Sequence, residues 1–188
     1  MGQQYRIKCA SCNYSISISK GVGMMYSPNA VFYGRCDDKT QNWSVAFPDG
    51  YCEHDKPLLL SLVKDKRIKK DAFSLLSSGA TPDYGYGHDL YFCPECKRIE
   101  NMFYFKLVST TETYEPDYKC PSCDTALQQI EIKQNDDDEG KLLDEFDLMQ
   151  SEDNVIEFVD KNKQTIDWKC PKCGNDKLMF SGEMIMWD

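Results

Sequence analysis

The sequence predicts a small α+β protein in which short antiparallel strands surround two four-cysteine metal sites, with a central helical segment. Three observations carry this expectation. Eight of the ten cysteines form four C-x-x-C pairs. Short β-prone runs lead into every pair, at residues 5–8, 90–92, 118–119 and 167–169. Residues 57–78 place Leu, Val, Ile and Ala at helical spacing.

The pairs are Cys9/Cys12, Cys93/Cys96, Cys120/Cys123 and Cys170/Cys173. Two intervening residues let the backbone turn so that both sulfurs face one ion, and the N–H groups of the turn stabilise the thiolates. Pro94, Pro121 and Pro171 fix φ directly after the first cysteine of three pairs. Asn13, Asp124 and Gly174 follow the second cysteine of three pairs, and all tolerate the left-handed backbone that closes such a turn. A thioredoxin-type redox pair sits at a helix N-terminus after a strand. Here β-prone residues follow the pairs, at 14–18 and 102–108, which speaks against redox chemistry. Four thiolates per ion leave no open coordination position, so the expected cofactor is two structural Zn2+ ions rather than a catalytic one.

A cysteine turn set between two strands resembles the zinc knuckle of zinc-ribbon and rubredoxin-like proteins. The resemblance spans the four knuckles and their strands, and it implies two four-cysteine zinc-ribbon sites. The uncharged stretch 21–34 and the closing Met184-Ile185-Met186-Trp187-Asp188 are similar to segments of small uncharacterised bacterial zinc-ribbon proteins, a kinship that brings no activity with it. By its residues, the 21–34 stretch is expected to pack over the core, with an adaptable Met- and Tyr-rich binding surface as the alternative.

Two pairings of the cysteines are open. A sequential scheme joins the first pair to the second and the third to the fourth; a nested scheme joins Cys93/Cys96 to Cys120/Cys123 and Cys9/Cys12 to Cys170/Cys173. Loop-closure entropy separates them by about 0.2 kcal/mol and does not choose. Local context favours nesting: a strand from Asn101 to Ser109, a polar turn from Thr110 to Pro116 and a return to Lys119 lay out one complete ribbon between the inner pairs.

The expected organisation follows. Residues 1–54 carry the N-terminal knuckle with strands and loops, 55–79 the helical segment, 80–133 the inner ribbon, 134–153 an acidic insertion, and 154–188 the C-terminal knuckle that closes the second site with Cys9/Cys12. Pro57 suits a first helical position. The apolar phase slips near Asp65, an N-cap residue if there are two helices, and Gly79 ends the run. Within the insertion, Leu142, Leu143, Phe146 and Met149 suit one short amphipathic helix after an acidic loop.

Charge and motifs bound the function. The formal net charge is −9, and eight thiolates outweigh two dications, so the chain as a whole repels phosphate. Lys64, Lys66, Arg67, Lys69 and Lys70 form a basic cluster, read as a solvated helix face. No apolar run approaches a membrane span and no leader is visible, so a cytoplasmic location is expected. His54 and His88 are the two histidines, and neither sits in a nucleophile elbow, a metalloprotease helix or a phosphate loop. The expected function is a non-enzymatic zinc-binding protein that recognises another protein. Nucleic-acid association is the alternative, disfavoured by charge. A second alternative is an enzyme built on His88 or on a Cys36/Cys52/His54 group, whose cysteines otherwise read as ordinary thiols.

Overall fold

The first strand, β1 (Gly2–Cys9), buries Gln3, Tyr5, Ile7 and Cys9 and exposes Arg6 between them. That two-residue period belongs to a sheet with one covered and one wet face. The computed structural model describes residues 2–23, 26–34, 57–134 and 155–187. Cys36, Cys52, His54 and the helix expected on Leu142, Leu143, Phe146 and Met149 lie outside those residues. The elements after β1 are β2 (Ser15–Lys20), one π-helical turn (Asn29–Tyr33), α1 (Leu59–Leu62), α2 (Lys66–Ser77), β3 (Thr81–Pro82), β4 (Gly87–Cys93), β5 (Arg98–Tyr104), β6 (Leu107–Val108), β7 (Thr113–Tyr114), β8 (Gln128–Gln134), β9 (Val155–Asp160) and β10 (Leu178–Trp187). The protein is thus mixed α+β, mostly antiparallel strand with few helices. None of the described helices is long and apolar enough to cross a membrane.

Seven strands form one sheet in the order β2-β1-β10-β9-β8-β4-β5, antiparallel at every step. The order is symmetric about β9. On one side a hairpin (β1, β2) is joined by a returning strand, β10; on the other a hairpin (β4, β5) is joined by β8. Each hairpin turn holds one cysteine pair, and each returning strand is preceded by another. Four antiparallel steps separate β1 from β4, so the two strands run the same way and both sets of cysteines lie at one end of the sheet.

Equal strand direction with mirrored order is the relation of a half-turn about an axis along the strands, and such a rotation exchanges the two faces. The side chains obey it. Tyr5 and Ile7, four and two residues before Cys9, enter a core with Ile18, Trp168, Leu178 and Phe180. Tyr91, two residues before Cys93, points into a second core with Phe103, Phe105 and Tyr118. Leu90 and Phe92, on the opposite face of β4, complete the first core instead. β4 is therefore covered on both sides, and its last four residues are all buried. Trp168 and Tyr118 hold equivalent places, each two residues before the first cysteine of its pair, in opposite cores.

The second core is roofed by the helical segments. Val31 and Phe32 of the π turn are fully buried, as are Leu59, Ile68 and Ala72 or nearly so. Phe32 meets the Tyr86 ring edge-on at 5.3 Å and the Phe105 ring at 6.0 Å. The described part of the 21–34 stretch thus packs over the core, through Val22, Tyr26, Val31, Phe32 and Tyr33. The helical run splits at Asp65, whose carboxylate accepts the N–H of Arg67 (2.8 Å) and Ile68 (3.3 Å). It ends at Gly79 (φ 95°), with the Gly79 N–H on Leu76 O and the Ala80 N–H on Leu75 O, which satisfies two orphan carbonyls. Two of the five clustered basic residues serve this layer: Arg67 pairs with Asp117 at 2.7 Å, and the Lys69 ammonium reaches Leu60 O at 2.6 Å.

One expectation changes. The strand foreseen from Asn101 to Ser109 breaks after Tyr104. Phe105 and Leu107 turn into the second core, Lys106 O accepts the Asp83 N–H, and β6 joins β3 and β7 in a separate three-stranded sheet. The third strand of the inner unit is β8, beyond the second cysteine pair.

The large sheet curls until the end of β2 meets β4, leaving β5 as its edge. Gly21 and His88 exchange backbone hydrogen bonds of 2.9 and 2.8 Å. The Asn101 side chain accepts the Ser19 N–H (2.7 Å) and donates to Ser19 O (2.8 Å), as a neighbouring strand would. Only glycine fits at the seam: a Cβ on Gly87 would lie 2.9 Å from both the carbonyl carbon and the oxygen of Gly21. Gly87→Ala is expected to cost about 2 kcal/mol by overpacking against backbone. Gly85→Ala, which meets nothing within 4 Å, should stay within about 0.5 kcal/mol. Denaturant titration of the two variants checks the contrast.

Candidate metal centres

All four cysteine turns are built alike. The N–H of the first cysteine bonds to the carbonyl five residues on in three of them: Cys9 to Tyr14 (2.9 Å), Cys120 to Thr125 (2.8 Å) and Cys170 to Asn175 (2.8 Å). In the remaining turn Cys93 faces Arg98 across the β4–β5 ladder. In three turns the residue after the second cysteine bonds back to the first cysteine's carbonyl: Lys97 to Cys93, Asp124 to Cys120 and Gly174 to Cys170. Those three residues have φ of 54°, 60° and 73°. Lys97 was not foreseen, since Lys carries no left-handed preference. Asn13, which was, stays out of that region; its side-chain oxygen instead accepts from the Lys172 ammonium and ties the first knuckle to the fourth. Arg98 does the same for the inner pairs, donating to Ser122 Oγ at 3.2 Å.

The turns bring the cysteines together as two groups, Cys9/Cys12/Cys170/Cys173 and Cys93/Cys96/Cys120/Cys123, which is the nested arrangement. All sulfurs in a group lie within 4.8 Å of one another. A tetrahedron with metal–sulfur bonds of about 2.3 Å has edges of about 3.8 Å. The closest contacts between pairs are 3.6 Å for Cys9–Cys173 and Cys12–Cys170, 3.5 Å for Cys93–Cys123 and 3.8 Å for Cys96–Cys120. A disulfide would need about 2.05 Å, and all eight are free thiols. Both groups share one burial pattern: the first cysteine of each pair is buried, Cys12 and Cys96 are half-buried, and Cys123 and Cys173 are exposed. The donor sets therefore fit a soft, tetrahedral metal ion.

Backbone N–H groups already point at the sulfurs, Ser11 at Cys9 Sγ (3.4 Å) and Cys96 at Cys93 Sγ (3.3 Å). The Thr125 hydroxyl, 3.3 Å away, and its N–H hold the Cys123 thiol down at about 6. At Cys170 burial opposes ionisation, but the N–H groups of Lys172 and Cys173 outweigh it and bring the thiol to about 7. Each group also contains the opposite case. The Cys123 sulfur, then burial, push Cys96 up to about 12. At Cys173 the Asn175 N–H favours the thiolate, yet burial and the three neighbouring sulfurs carry it up to about 12. One thiolate forms readily and the next is repelled by it, a conflict that a divalent cation at the centre removes.

His88 is held elsewhere, at the seam, with its ring edge-on to Phe103 at 5.4 Å. The Cys36/Cys52/His54 group lies outside the described residues. One signal was readable and unused: Asp117-Tyr118-Lys119-Cys120-Pro121 and Asp167-Trp168-Lys169-Cys170-Pro171 are a repeat, which marks these two pairs as equivalent. No family model, curated protein or solved structure matches this chain.

Burial pushes the His88 imidazole below its ordinary value. A depressed histidine contributes stability that is complete above about pH 6.5 and is lost as pH falls through its folded value. His88→Gln should therefore lose less stability than the parent between pH 7.5 and 5.5, measured by urea titration at each pH. Equal losses would show that His88 has no part in the acid response.

Proposed function

We propose that this chain is a zinc protein with two structural tetrathiolate sites of zinc-ribbon type, serving as a scaffold for recognition of another protein. The observation that carries it is the pair of sulfur quartets, each with all sulfurs within 4.8 Å and two cross-pair contacts near the edge length of a metal-centred tetrahedron. Sulfur-only tetrahedra suit zinc or iron. Zinc is preferred as the redox-inert ion that structural four-cysteine sites most often hold. Zinc bound this way holds its ligands in place and leaves no position for water or substrate. The acidic charge supports a protein partner over a nucleic acid. Among the described residues, Tyr84 is the most exposed large apolar side chain, at 89%, and is well placed to meet one.

Elemental analysis of protein purified under reducing conditions should give two zinc per chain and no visible iron–thiolate absorption. Stripping the metal with a strong chelator should abolish the cooperative thermal transition, since structural zinc supplies about 10–16 kcal/mol of apparent binding energy in small sites. A metal-free protein with an unchanged transition would sink the proposal.

A further inference from the structure

The two sulfur groups are built alike but closed over very different lengths of chain. Cys96 and Cys120 are 24 residues apart, and Cys93 and Cys123 are 30. In the other group the separations are 158 and 164. The inner unit is also nearly local: β4, β5 and β8, the small sheet, α1, α2 and most of the second core lie within residues 57–134, with Val31 and Phe32 of the π turn added from outside. The outer unit is assembled from both ends of the described chain, β1 and β2 with β10, and its core is completed by Leu90, Phe92, Ile99 and Ile130 of the inner unit. The inner unit offers a larger preformed surface to the outer one than it receives, since only the π turn and its flanks enter the second core from outside.

Resting on the metal reading above, we infer that the outer site is a metal-operated clasp. The inner site loads first and folds residues 57–134. The outer site then forms on that surface, drawing β1, β2 and β10 onto Leu90, Phe92, Ile99 and Ile130. When metal is scarce the protein holds one ion and displays that apolar face. Chain statistics and template act in the same direction. Closing 24 residues rather than 158 in an open chain favours the inner site about 17-fold by the three-halves power of loop length.

The test uses the full-length, metal-free, reduced chain titrated with zinc. Native mass spectrometry counts ions, and pulsed alkylation with N-ethylmaleimide followed by peptide mapping reads each cysteine. At one equivalent the expected result is a one-ion species. In it Cys93, Cys96, Cys120 and Cys123 are protected, and Cys9, Cys12, Cys170 and Cys173 are alkylated at least tenfold more. Binding of a hydrophobic dye should peak at that point and fall at two equivalents. A direct passage from zero to two ions, or protection of the outer four first, overturns the clasp while leaving two metal sites intact. Absence of protection at any zinc level overturns the metal reading as well. Cys170→Ser should keep the inner four protected, whereas Cys120→Ser should expose all seven that remain; equal effects of the two variants contradict the inference.

Discussion

Four sulfurs gathered within 4.8 Å, with cross-pair contacts of 3.5–3.8 Å, cannot all be anions unless a cation sits among them, and the rest of the structure hangs on that constraint. The outer group is where it bears hardest. β1 and β10 pair along almost their whole length, from Gly2↔Trp187 to Cys9↔Leu178, so two segments separated by most of the chain must find a single register. Cys9 and Leu178 stand level at the end of that ladder, and the Ala10 N–H bonds Lys177 O at 3.1 Å just beyond it. A fixed sulfur geometry at this point pins the register that a bulge between Tyr5 and Ile7 would otherwise leave free to slip.

The exchange of faces between the two units explains where the apolar residues go. Were the units related by simple translation along the sheet, one face would carry both sets of aromatic residues and the other would be wet throughout. Instead the inner unit turns its own aromatic face, with Tyr91 and Tyr118, away from the first core and lends that core its back. The exposed aromatic face then needs a cover, which the π turn and the two helices supply. The two tyrosines meet edge-on at 5.4 Å, and burial pushes both phenols upward. The Tyr118 hydroxyl donates to Phe103 O at 2.7 Å and so satisfies a carbonyl of the edge strand β5. One rotation thus accounts for two cores, for the helices over one of them, and for a strand, β4, that is buried on both faces.

How much of this was legible depended on range. The eight sulfurs, their turns, the cap at Asp65 and the stop at Gly79 are local, and residue type at fixed spacing determined each of them. Pairing of the sulfurs was only partly legible, because loop entropy nearly cancels between the schemes and the decision rests on strands that meet through space. The strand from Asn101 onward was misjudged because its alternation continues through Phe105 and Leu107, while the core they enter is the second one. The left-handed Lys97 had no signal in its own identity; the position is imposed by the β4–β5 turn. Neither the sharing of β9 nor the exchange of faces can be read from any one segment. The repeat around Cys120 and Cys170 was there to be found and pointed to equivalent units.

That repeat also reframes the charge. The sequence offered residues 64–70 as the basic cluster of an acidic chain, yet Arg67 and Lys69 are engaged within the fold. A second set of cations is scattered in sequence and gathered in space: Lys8, Lys97, Arg98, Lys119, Lys169, Lys172 and Lys177 all stand within a few residues of a cysteine. Several are tethered, Lys119 to Asp124 at 3.2 Å, Lys169 to Asp167 and Asp176 at 3.4 and 3.5 Å, and Arg98 to Ser122. In the proposed zinc form each quartet of thiolates around a dication carries two negative charges, with both quartets at one end of an already acidic molecule. Most of these cations are exposed and screened by solvent, so each offsets only part of that local potential. Their placement suits the proposed tetrathiolate centres, which give the basic residues of the knuckles a counter-charge of their own.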